Sequence, residues 1–449
     1  MSKIMLIRHA ISEGNSKGII QGDEDYALSM EGIIQANNFD VKDLHNYERI
    51  ITSPSSRTKQ TAEIINKNLN LNIEEDSMLK EISAGILDGH LKKEVLKCYP
   101  EYYKLYLQRG DYDLIPNAEN WQHVNARIIA FLEQYISCQH NDIVISHAAF
   151  MRKLMNFLNG YDRNYQYNIP NCSSFEFDDV LKNLDIEKFD IAKSSKVWSV
   201  ANENYKYILK RKDRIINGDD INENNILKYL NKYISVPEIL LMSNRGDYQV
   251  KIIKYLNGIH KFGDLDNITI QNITNQVYKM YKLLSEYDEK MTFSKKSISD
   301  ELCSCLKNLL EDEYKKEALE LLNNQKFQNY LKSSILVLVH NDLHRSNILI
   351  DNSKINIIDF ETLGLYPKEL QLATYICSCY LLENPNFNIN NILNIWNEDV
   401  ERDIIIDLIK YRLLYGMSFF DSLIKSGNYE ESDLFIRNKY IRAIRRVKK

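Results

Sequence analysis

Glycine is scarce in this chain, at 15 of 449 residues, about 3% where roughly 7% is usual. Neither G-x-G-x-x-G nor G-x-x-x-x-G-K-[ST] occurs anywhere in it. The absence of these two motifs excludes a standard dinucleotide fingerprint and a Walker P-loop. Any nucleotide chemistry in this protein must therefore use another set of residues.

Long apolar runs and a secretory signal are also missing. The longest apolar stretches, such as 335–339, have the length of a strand, whereas a membrane-spanning helix needs about 18 apolar residues or more. The seven cysteines are odd in number and thinly spread, a pattern that does not indicate a disulfide framework. We therefore expect a cytoplasmic protein with no membrane association.

The cysteines include two C-x-C pairs, Cys303/Cys305 and Cys377/Cys379, in apolar stretches with helical patterning. Residues i and i+2 of a helix point to different faces. This spacing favours buried packing over a metal site.

The overall charge is nearly balanced, with 57 Lys and Arg against 62 Asp and Glu and a net charge of −5. A small acidic excess argues against a dedicated nucleic-acid binder. The chain has 44% apolar and 27% charged residues, a composition typical of globular proteins. Its length predicts two to three domains.

Strand and helix patterns alternate over residues 1–180. Strands are predicted at 4–7, 50–52 and 142–146, and helices at 29–38, 57–68, 121–135 and 151–158. Such alternation predicts a layered α/β domain with a largely parallel sheet. The segments that directly follow the strands are then the expected place for chemistry.

A polar, charged stretch at 181–195 is predicted to be a linker, and a different pattern follows it. Residues 196–257 are rich in strand signals and predict a small lobe. Residues 258–449 are mainly helical, broken by strands near 335–340 and 355–359, and predict a larger lobe. The second domain is therefore expected to span 196–449 and to have two lobes.

Two histidines and two arginines follow three separate strands of the first domain. Arg8 and His9 end the first strand, Arg57 comes shortly after the second, and His147 follows the third. Arginine binds phosphate oxygens bidentately, a neutral histidine can carry a phosphoryl group, and a second, protonated histidine can stabilise its charge. Glu81 is the candidate acid that would protonate a leaving alcohol.

These residues, together with other short motifs, resemble the histidine phosphatase superfamily, which includes phosphoglycerate mutase-like enzymes. The further motifs are Gln21-Gly22, Leu28-Ser29, Gln60-Thr61-Ala62, Glu119, Arg127 and Ser146-His147. The resemblance implies a three-layer α/β/α fold with His9 as nucleophile and Glu81 as proton donor. It also implies that the phosphate is held by Arg8, Asn15, Arg57 and His147, without a metal.

Two departures from that family pattern are Ala10 and Ala148, where glycine is usual; each adds only a methyl group. The compact size of the domain favours a phosphatase over a mutase, since such mutases usually carry longer insertions. A mutase and an intact motif without activity both stay open as alternatives.

A second set of reactive residues follows the strand at 335–339. Asp342 and Asn347 have the D-x-x-x-x-N spacing of a kinase catalytic loop, and Asp359 takes the place of the Asp that follows this loop in kinases. Phosphoryl transfer from ATP needs a carboxylate at the acceptor hydroxyl and oxygen ligands for Mg²⁺. Asp342 is the candidate catalytic base, and Asn347 and Asp359 are the candidate metal ligands.

Kinases of this kind also need a strand lysine paired with a helix glutamate. Lys210 is the candidate lysine for ATP, with Lys212 as a substitute, and Glu223 is its candidate partner. The pattern H-x-D-x-x-x-x-N followed by D-F-E resembles aminoglycoside phosphotransferases and choline kinases. The resemblance implies a two-lobed, kinase-like fold that phosphorylates hydroxyls of small molecules with ATP and Mg²⁺.

Two features depart from this second family. The first strand pair of the lobe, near 194–205, has no glycine, so a loop covering the phosphates would have to use Ser199, Ala201 and Asn202. Gln371 stands where relatives often have the Asp of a D-L-A motif.

The sequence therefore predicts a bifunctional enzyme, with a phosphatase acting on a small phosphate ester and a kinase acting on a small hydroxyl acceptor. The alternative is one active domain joined to a degenerate binding module. The helical segment 289–333 should help to line the acceptor pocket. Its acidic residues leave open either a cationic acceptor or a solvated helix face; they are Glu301, Glu311, Asp312 and Glu313.

Overall fold

The computed structural model describes residues 2–108, 112–159, 167–189, 195–213, 219–259, 265–288, 293–352, 354–382, 388–396 and 401–447. The chain forms two compact units. The first comprises Met1–Ile215 with Ile239–Tyr255, and the second comprises Ile216–Glu238 with Leu256–Lys449. The first unit is thus discontinuous in sequence.

A five-stranded sheet forms the centre of the N-terminal part of the first unit. Its strands are β1 (Lys3–Arg8), β2 (Arg49–Thr52), β3 (Asn72–Glu75), β4 (Asn141–Ser146) and β5 (Ser174–Phe177). The order is β3-β2-β4-β1-β5, with β5 alone antiparallel to its neighbour. Because β1, β2 and β4 run parallel, their carboxyl ends lie side by side at one edge.

Seven α-helices of the described residues accompany this sheet, and the predicted alternation of strands and helices is confirmed. They are α1 (Glu13–Lys17), α2 (Met30–Asn37), α3 (Ser56–Asn66), α4 (Lys92–Cys98), α5 (Pro100–Gln108), α6 (Trp121–Ser137) and α7 (Ala148–Asn159). Alternate residues of β1 enter two different apolar clusters, Ile4 and Leu6 in one and Met5 and Ile7 in the other. The sheet is therefore covered on both faces.

A second five-stranded sheet, entirely antiparallel, belongs to the same unit. Its strands are β6 (Asp185–Phe189), β7 (Lys196–Ala201), β8 (Lys206–Lys212), β9 (Ile239–Arg245) and β10 (Tyr248–Lys254), in the order β6-β7-β8-β10-β9. Leu209 and Ile252 of this sheet share one apolar cluster with Val124 and Ile128 of α6. Helix α6 thus packs against both sheets.

Polar contacts also join α6 to the second sheet. The buried Glu133 carboxylate accepts hydrogen bonds from Arg211 Nη1 (2.8 Å) and Tyr248 Oη (3.0 Å). Asn125 Nδ2 donates to Tyr207 Oη over 2.9 Å. These buried groups need partners, and the second sheet supplies them.

The second unit is mainly helical. Its helices are α8 (Asp219–Leu230), α9 (Asn267–Glu286), α10 (Ile298–Asn308), α11 (Asp312–Asn323), α12 (Gln325–Ser333), α13 (Leu370–Leu382), α14 (Ile389–Trp396), α15 (Arg402–Ser426) and α16 (Glu431–Val447). Two antiparallel strand pairs interrupt them: β11 (Leu336–His340) with β14 (Leu363–Pro367), and β12 (Ile348–Asp351) with β13 (Lys354–Ile357). The described helices include none with the length and apolar character needed to cross a bilayer.

Strand β6 lies inside the stretch that the sequence pattern assigned to a linker at 181–195. It pairs with β7 along its full length, from Asp185 opposite Ala201 to Phe189 opposite Val197. Its sequence, DIEKF, has three charged residues of five, so the usual apolar strand signal is weak. Consequently β7 and β8 are not the first strand pair of this sheet, as the sequence had suggested.

Candidate active sites

The strand ends of the first sheet bring the predicted phosphate-binding residues together. His9 follows β1, His147 follows β4, and Arg57 lies in the first turn of α3 after β2. All three side chains are buried. The imidazole rings of His9 and His147 meet edge to face, with centroids 5.2 Å apart.

His9 is held as a neutral imidazole with a defined tautomer. Its Nδ1 lies 2.7 Å from the carbonyl oxygen of Ala10, which can only accept, so Nδ1 carries the proton. Burial, and then the charges of Arg8 and Arg57, hold the pKa of His9 well below its usual value. The lone pair is therefore on Nε2, as a nucleophile requires.

The backbone around His9 is fixed from two sides. Asn171 Nδ2 donates to the carbonyl oxygen of His9 over 3.0 Å, and the amide of Ala10 donates to Thr61 Oγ1 over 3.1 Å. Ala10 is fully buried, so the methyl group at this departure from the family pattern is accommodated in the packed site.

His147 is neutral as well, which corrects the expectation of a protonated second histidine. Arg57 Nε donates to its Nδ1 over 3.2 Å, and its Nε2 lies 2.9 Å from Ser53 Oγ and 3.1 Å from Ser55 Oγ. Burial, and then the charges of Arg57, His9 and Arg8, hold the pKa of His147 well below its usual value. Nε2 thus carries the proton.

Arg57 holds a loop in addition to contacting His147. Its Nη1 donates to the carbonyl oxygen of Glu24 (2.9 Å) and its Nη2 to that of Gln21 (3.1 Å). Three of its five N–H donors thus bind protein atoms. Arg8, in contrast, is half-buried and donates from Nη1 to the carbonyl oxygen of Ile169 over 2.7 Å.

Asn15 takes part in the start of α1. Its Oδ1 lies 3.2 Å from the backbone nitrogen of Ser12 and 3.2 Å from Asn171 Nδ2, and it accepts from Ser12 Oγ over 3.0 Å. The acceptor side of this amide is therefore used by the protein. Its donor side, Nδ2, has no hydrogen bond within the described ranges and is the part that can bind a phosphate oxygen.

Glu81 lies at the N-terminus of α7. Its Oε1 accepts from the amide of Phe150 (2.9 Å) and from that of Ile82 (3.0 Å), and its Oε2 accepts from the amide of Ala149 (3.2 Å). Two of these donors, the amides of Ala149 and Phe150, follow His147 closely in the chain, so the bonds hold the carboxyl group beside the segment that carries this histidine. The predicted proton donor is thus placed at the same strand edge as the histidines.

Several residues of this site were not given a role from the sequence. Ser53 and Ser55 contact His147, and Thr61 holds Ala10. Asp88 accepts from the amides of Gly22 (2.9 Å) and Ala84 (3.0 Å). Thr61 stands in a motif stretch that was recognised, but the stretch alone does not tell which partner it binds.

The second unit forms the predicted catalytic loop between β11 and β12. Asp342 Oδ2 lies 3.4 Å from His344 Nε2, and its carbonyl oxygen accepts from Asn347 Nδ2 over 2.7 Å. Burial raises the pKa of Asp342, but His344, His340 and Arg412 outweigh it and hold this pKa at about 2. Asp342 is therefore ionised throughout the physiological range.

His340 joins this loop to the segment that carries Asp359. It is fully buried, its Nε2 donates to the carbonyl oxygen of Ile358 over 3.0 Å, and its ring meets that of Phe360 at 4.6 Å. Asp359 has the left-handed conformation, with φ of 64°, which non-glycine residues adopt rarely and often at functional sites.

Gln371, at the position where relatives often have an aspartate, anchors the backbone of His340. It is fully buried; its Oε1 accepts from the amide of His340 over 2.8 Å, and its Nε2 donates to the carbonyl oxygen of His340 over 3.4 Å. An amide side chain can pair with both backbone groups, whereas a carboxylate can pair only with the amide.

Glu301 is neither a solvated surface residue nor an unoccupied acidic group. Its carboxylate accepts hydrogen bonds from the hydroxyls of Tyr366 (2.8 Å) and Tyr411. Tyr366 Oη in turn accepts from Asn341 Nδ2 over 2.9 Å, next to Asp342. The carboxylate is thus part of a hydrogen-bonded network behind the catalytic loop.

The two residues predicted to bind ATP lie in different units. Lys210 is in β8, opposite Val197 and Lys251. Its neighbours Leu209 and Arg211 are on the side of the sheet that faces α6, so Lys210 is on the other side. Glu223 is a buried residue of α8.

The glycine-free turn after β7 does not have the expected form of a loop covering phosphates. Ser199 is buried within β7. Asn202 accepts from the amides of Asn204 and Tyr205, and its Nδ2 donates to the carbonyl oxygen of Phe157 in α7 over 3.2 Å. The turn is therefore attached to the N-terminal part of its own unit. The connection from β6 to β7 lies outside the described residues.

Comparison with known proteins agrees with this geometry. Residues 4–180 match the model of the histidine phosphatase superfamily, branch 1. Phosphoserine phosphatase 1 of Hydrogenobacter thermophilus is 32% identical over 166 residues, which cover 36% of this chain and 78% of that protein. The chain belongs to the histidine phosphatase superfamily. Residues 185–373 match the model of the phosphotransferase enzyme family, so this histidine phosphatase also carries a kinase-like domain.

Two solved structures illustrate the two parts. A phosphoglycerate mutase from Bacillus anthracis is 22% identical and covers 39% of this chain and 86% of its own, with a TM-score of 0.34. The amicoumacin kinase hAmiN is 12% identical and covers 59% of this chain and 89% of its own, with a TM-score of 0.44. The two family models confirm the predicted fusion of a phosphatase with a kinase-like domain, and the strands and helices of the structure confirm the mixed α/β fold class.

Proposed function

We propose that this protein is a bifunctional enzyme that hydrolyses a small phosphate monoester through a phosphohistidine and phosphorylates a small-molecule hydroxyl with Mg·ATP. The observation that supports the first activity most directly is the neutral His9, whose Nδ1 proton is held by Ala10. A histidine phosphatase needs that state before the phosphoryl group arrives.

In the proposed hydrolysis, Nε2 of His9 attacks phosphorus and the bond from phosphorus to the leaving oxygen breaks. Glu81 gives its proton to that oxygen, and the alcohol departs. Water then attacks phosphorus, Glu81 takes up its proton, and the bond from phosphorus to Nε2 of His9 breaks, which releases inorganic phosphate and restores the neutral histidine. Arg8, Asn15, Arg57 and Nε2 of His147 bind the phosphoryl oxygens, and no step requires a metal.

In the proposed phosphotransfer, Asp342 positions the acceptor hydroxyl and receives its proton. The donor set suits Mg²⁺, because Asp359 offers carboxylate oxygens and the amide of Asn347, whose nitrogen is turned to Asp342, offers Oδ1. When bound, Mg²⁺ neutralises charge on the phosphates of ATP.

The relatives suggest which phosphate esters to test first. Phosphoserine phosphatase and phosphoglycerate mutase are named for small phosphorylated acids, so we propose a substrate of that size. The experiment below also distinguishes two alternatives. One is a mutase, and the other is a protein in which one domain only binds its ligand.

The decisive experiment incubates the purified chain with Mg·ATP, a panel of alcohols and sugars, and their phosphates. We expect His9→Ala to lose phosphate release while acceptor-dependent ADP formation remains, and Asp342→Asn to do the reverse. The exposed residues His45 and Asp312 provide the matched controls His45→Ala and Asp312→Asn.

Three results would contradict the proposal. Phosphate release that requires added divalent metal would exclude the metal-free mechanism. Transfer of the phosphoryl group to a second hydroxyl of the same substrate would identify a mutase. The absence of acceptor-dependent ADP formation over a broad panel would favour a binding module.

A further inference from the structure

The proton donor Glu81 directly follows a short turn, Ser77–Leu79 and Lys80. Asp76 begins this turn: its Oδ1 accepts from the amide of Met78 over 2.9 Å, and its carbonyl oxygen accepts from the amide of Leu79 over 3.1 Å. The amide of Asp76 donates to the carbonyl oxygen of Thr52, at the end of β2. Asp76 therefore sets where the turn leaves the sheet.

The second oxygen of Asp76 is bound by a residue from the other sheet. Arg245, the last residue of β9, donates from Nη1 to Asp76 Oδ2 over 2.8 Å and from Nη2 to the carbonyl oxygen of Ala130 over 3.2 Å. The side chains of Asp76 and Arg245 are only 8% and 19% exposed. An ion pair so withdrawn from water is screened little by salt.

The rest of the turn is held by residues of the histidine phosphatase part. Arg127 Nη1 donates to the carbonyl oxygens of Met78 (2.8 Å) and Lys80 (2.9 Å), and Ser146 Oγ donates to that of Leu79 (2.7 Å). Arg127 is itself fixed by Glu119. Among these supports Arg245 differs, because it lies within 185–373, the segment that matches the phosphotransferase family.

We propose that Arg245 is a positioning residue for the phosphatase reaction: by holding Asp76, it fixes the turn that presents Glu81 to the leaving oxygen. The kinase-like segment thereby contributes to the phosphatase chemistry. Proton donation requires hydrogen-bond geometry, and a displacement of about 1 Å can cost about 100-fold in rate. This inference rests on the proposed role of Glu81.

The test uses the fact that a poor leaving group needs a proton and a good one does not. The readouts are the steady-state kcat on glycerol phosphate and the first-turnover release of p-nitrophenolate from p-nitrophenyl phosphate. We expect Arg245→Gln to lower kcat on glycerol phosphate at least about 10-fold, since general acid catalysis contributes about 100-fold or more. The same variant should lower the first-turnover release of p-nitrophenolate less than about 2-fold. Arg245→Lys, which keeps a cation, should recover part of the loss.

Two further variants separate positioning from general weakening. Asp76→Asn breaks the same ion pair from the other side and should discriminate between the two substrates as Arg245→Gln does. Tyr248→Phe is the matched control, because it removes one hydrogen bond between α6 and the same pair of strands without touching the turn. It should leave the ratio of the two rates unchanged.

Glu81→Gln serves as the reference for lost proton donation. If it slows glycerol phosphate selectively while Arg245→Gln and Asp76→Asn slow both substrates equally or neither, the positioning role of Arg245 is wrong and the proposed function stands. If Glu81→Gln itself slows both substrates equally, the donor assignment fails, and the role of Arg245 fails with it.

Discussion

Arg57 donates a hydrogen bond from Nε to Nδ1 of His147 over 3.2 Å. This bond leaves the ring neutral and turns its Nε2 proton toward Ser53. The same guanidinium holds the carbonyl oxygens of Gln21 and Glu24. One side chain therefore sets both the tautomer of His147 and the course of the loop beside it.

Replacing Arg57 by lysine should disable the phosphatase, because an ammonium cannot reach all three acceptors in a planar fork. We expect Arg57→Lys to lower kcat by about 100- to 1,000-fold, the range found when one preorganised donor is lost. Steady-state kinetics on p-nitrophenyl phosphate measure this. Lys59→Ala, two residues along α3 at a half-exposed side chain, is the control; equal kcat for Arg57→Lys and the native protein would contradict the prediction.

The phosphatase should keep its activity well into the acidic range. Burial holds the pKa values of His9 and His147 well below 6.5, so both rings stay neutral as the pH falls from 7.5 to 6. Below 6.5 the unfolded chain binds more protons than the folded one, so these histidines also lower stability as the pH falls. The pH profile of kcat/KM and NMR titration of the histidine ring protons test this; titration of His9 at or above 6.5 would contradict it.

Asp88 should make the protein less stable as the pH rises from 4 to 6. Burial raises the pKa of this carboxyl from 3.8 to about 6, so in that window the folded chain binds more protons than the unfolded chain. Asp88→Asn removes the titration and keeps an acceptor for the loop amides. Urea midpoints of the variant and the native protein should converge at low pH and separate above 6 in favour of the variant; parallel curves would refute this.

Gln371→Leu should impair the kinase and leave the phosphatase intact. The amide and carbonyl of the buried His340 would lose their partner, at a cost of about 1–3 kcal/mol for each unsatisfied group. Thermal unfolding and ADP formation are the measurements. Gln371→Glu keeps an acceptor for the amide but sets a carboxylate against the carbonyl, so we expect an intermediate loss. A Gln371→Leu protein with native kinase activity would show that the anchor is dispensable.

Arg211→Met should destabilise the first unit strongly. It would leave Glu133, 1% exposed, with hydroxyl donors only, and breaking such a buried pair costs about 3–5 kcal/mol. Urea unfolding gives the free energy of unfolding. Adding Glu133→Gln to Arg211→Met removes the uncompensated charge and should recover part of the loss. Additive losses in the double variant would argue that the pair is not coupled.

Much of the phosphatase site could be predicted because it follows from strand order. Parallel strands end at one edge, so His9 and His147 had to meet once β1 and β4 were recognised. The orientation of Arg57 could not be predicted, since it depends on which carbonyl oxygens the loop at 21–25 presents. The neutral state of His147 could not be predicted either, because it depends on burial and on neighbouring cations, and the spacing of motifs gives no information about them.

The partnership between α6 and the second sheet was missed although the sequence contained a signal for it. Beyond the apolar stripe of Val124, Ile128 and Leu132, the helix also carries Ala126, Ile129 and Ala130 on other faces. A helix that is apolar around most of its circumference is buried on more than one side. Read in that way, α6 predicts a second layer of structure beyond the first sheet.

The order of synthesis gives the interleaved first unit a consequence of its own. Tyr248 follows its partner Glu133 by 115 residues, and Arg245 follows Asp76 by 169. At about 5–20 residues per second on the ribosome, Tyr248 is added about 6–23 s after its partner Glu133 of α6. The nascent phosphatase therefore completes its core only after α8, a helix of the other unit, has been made.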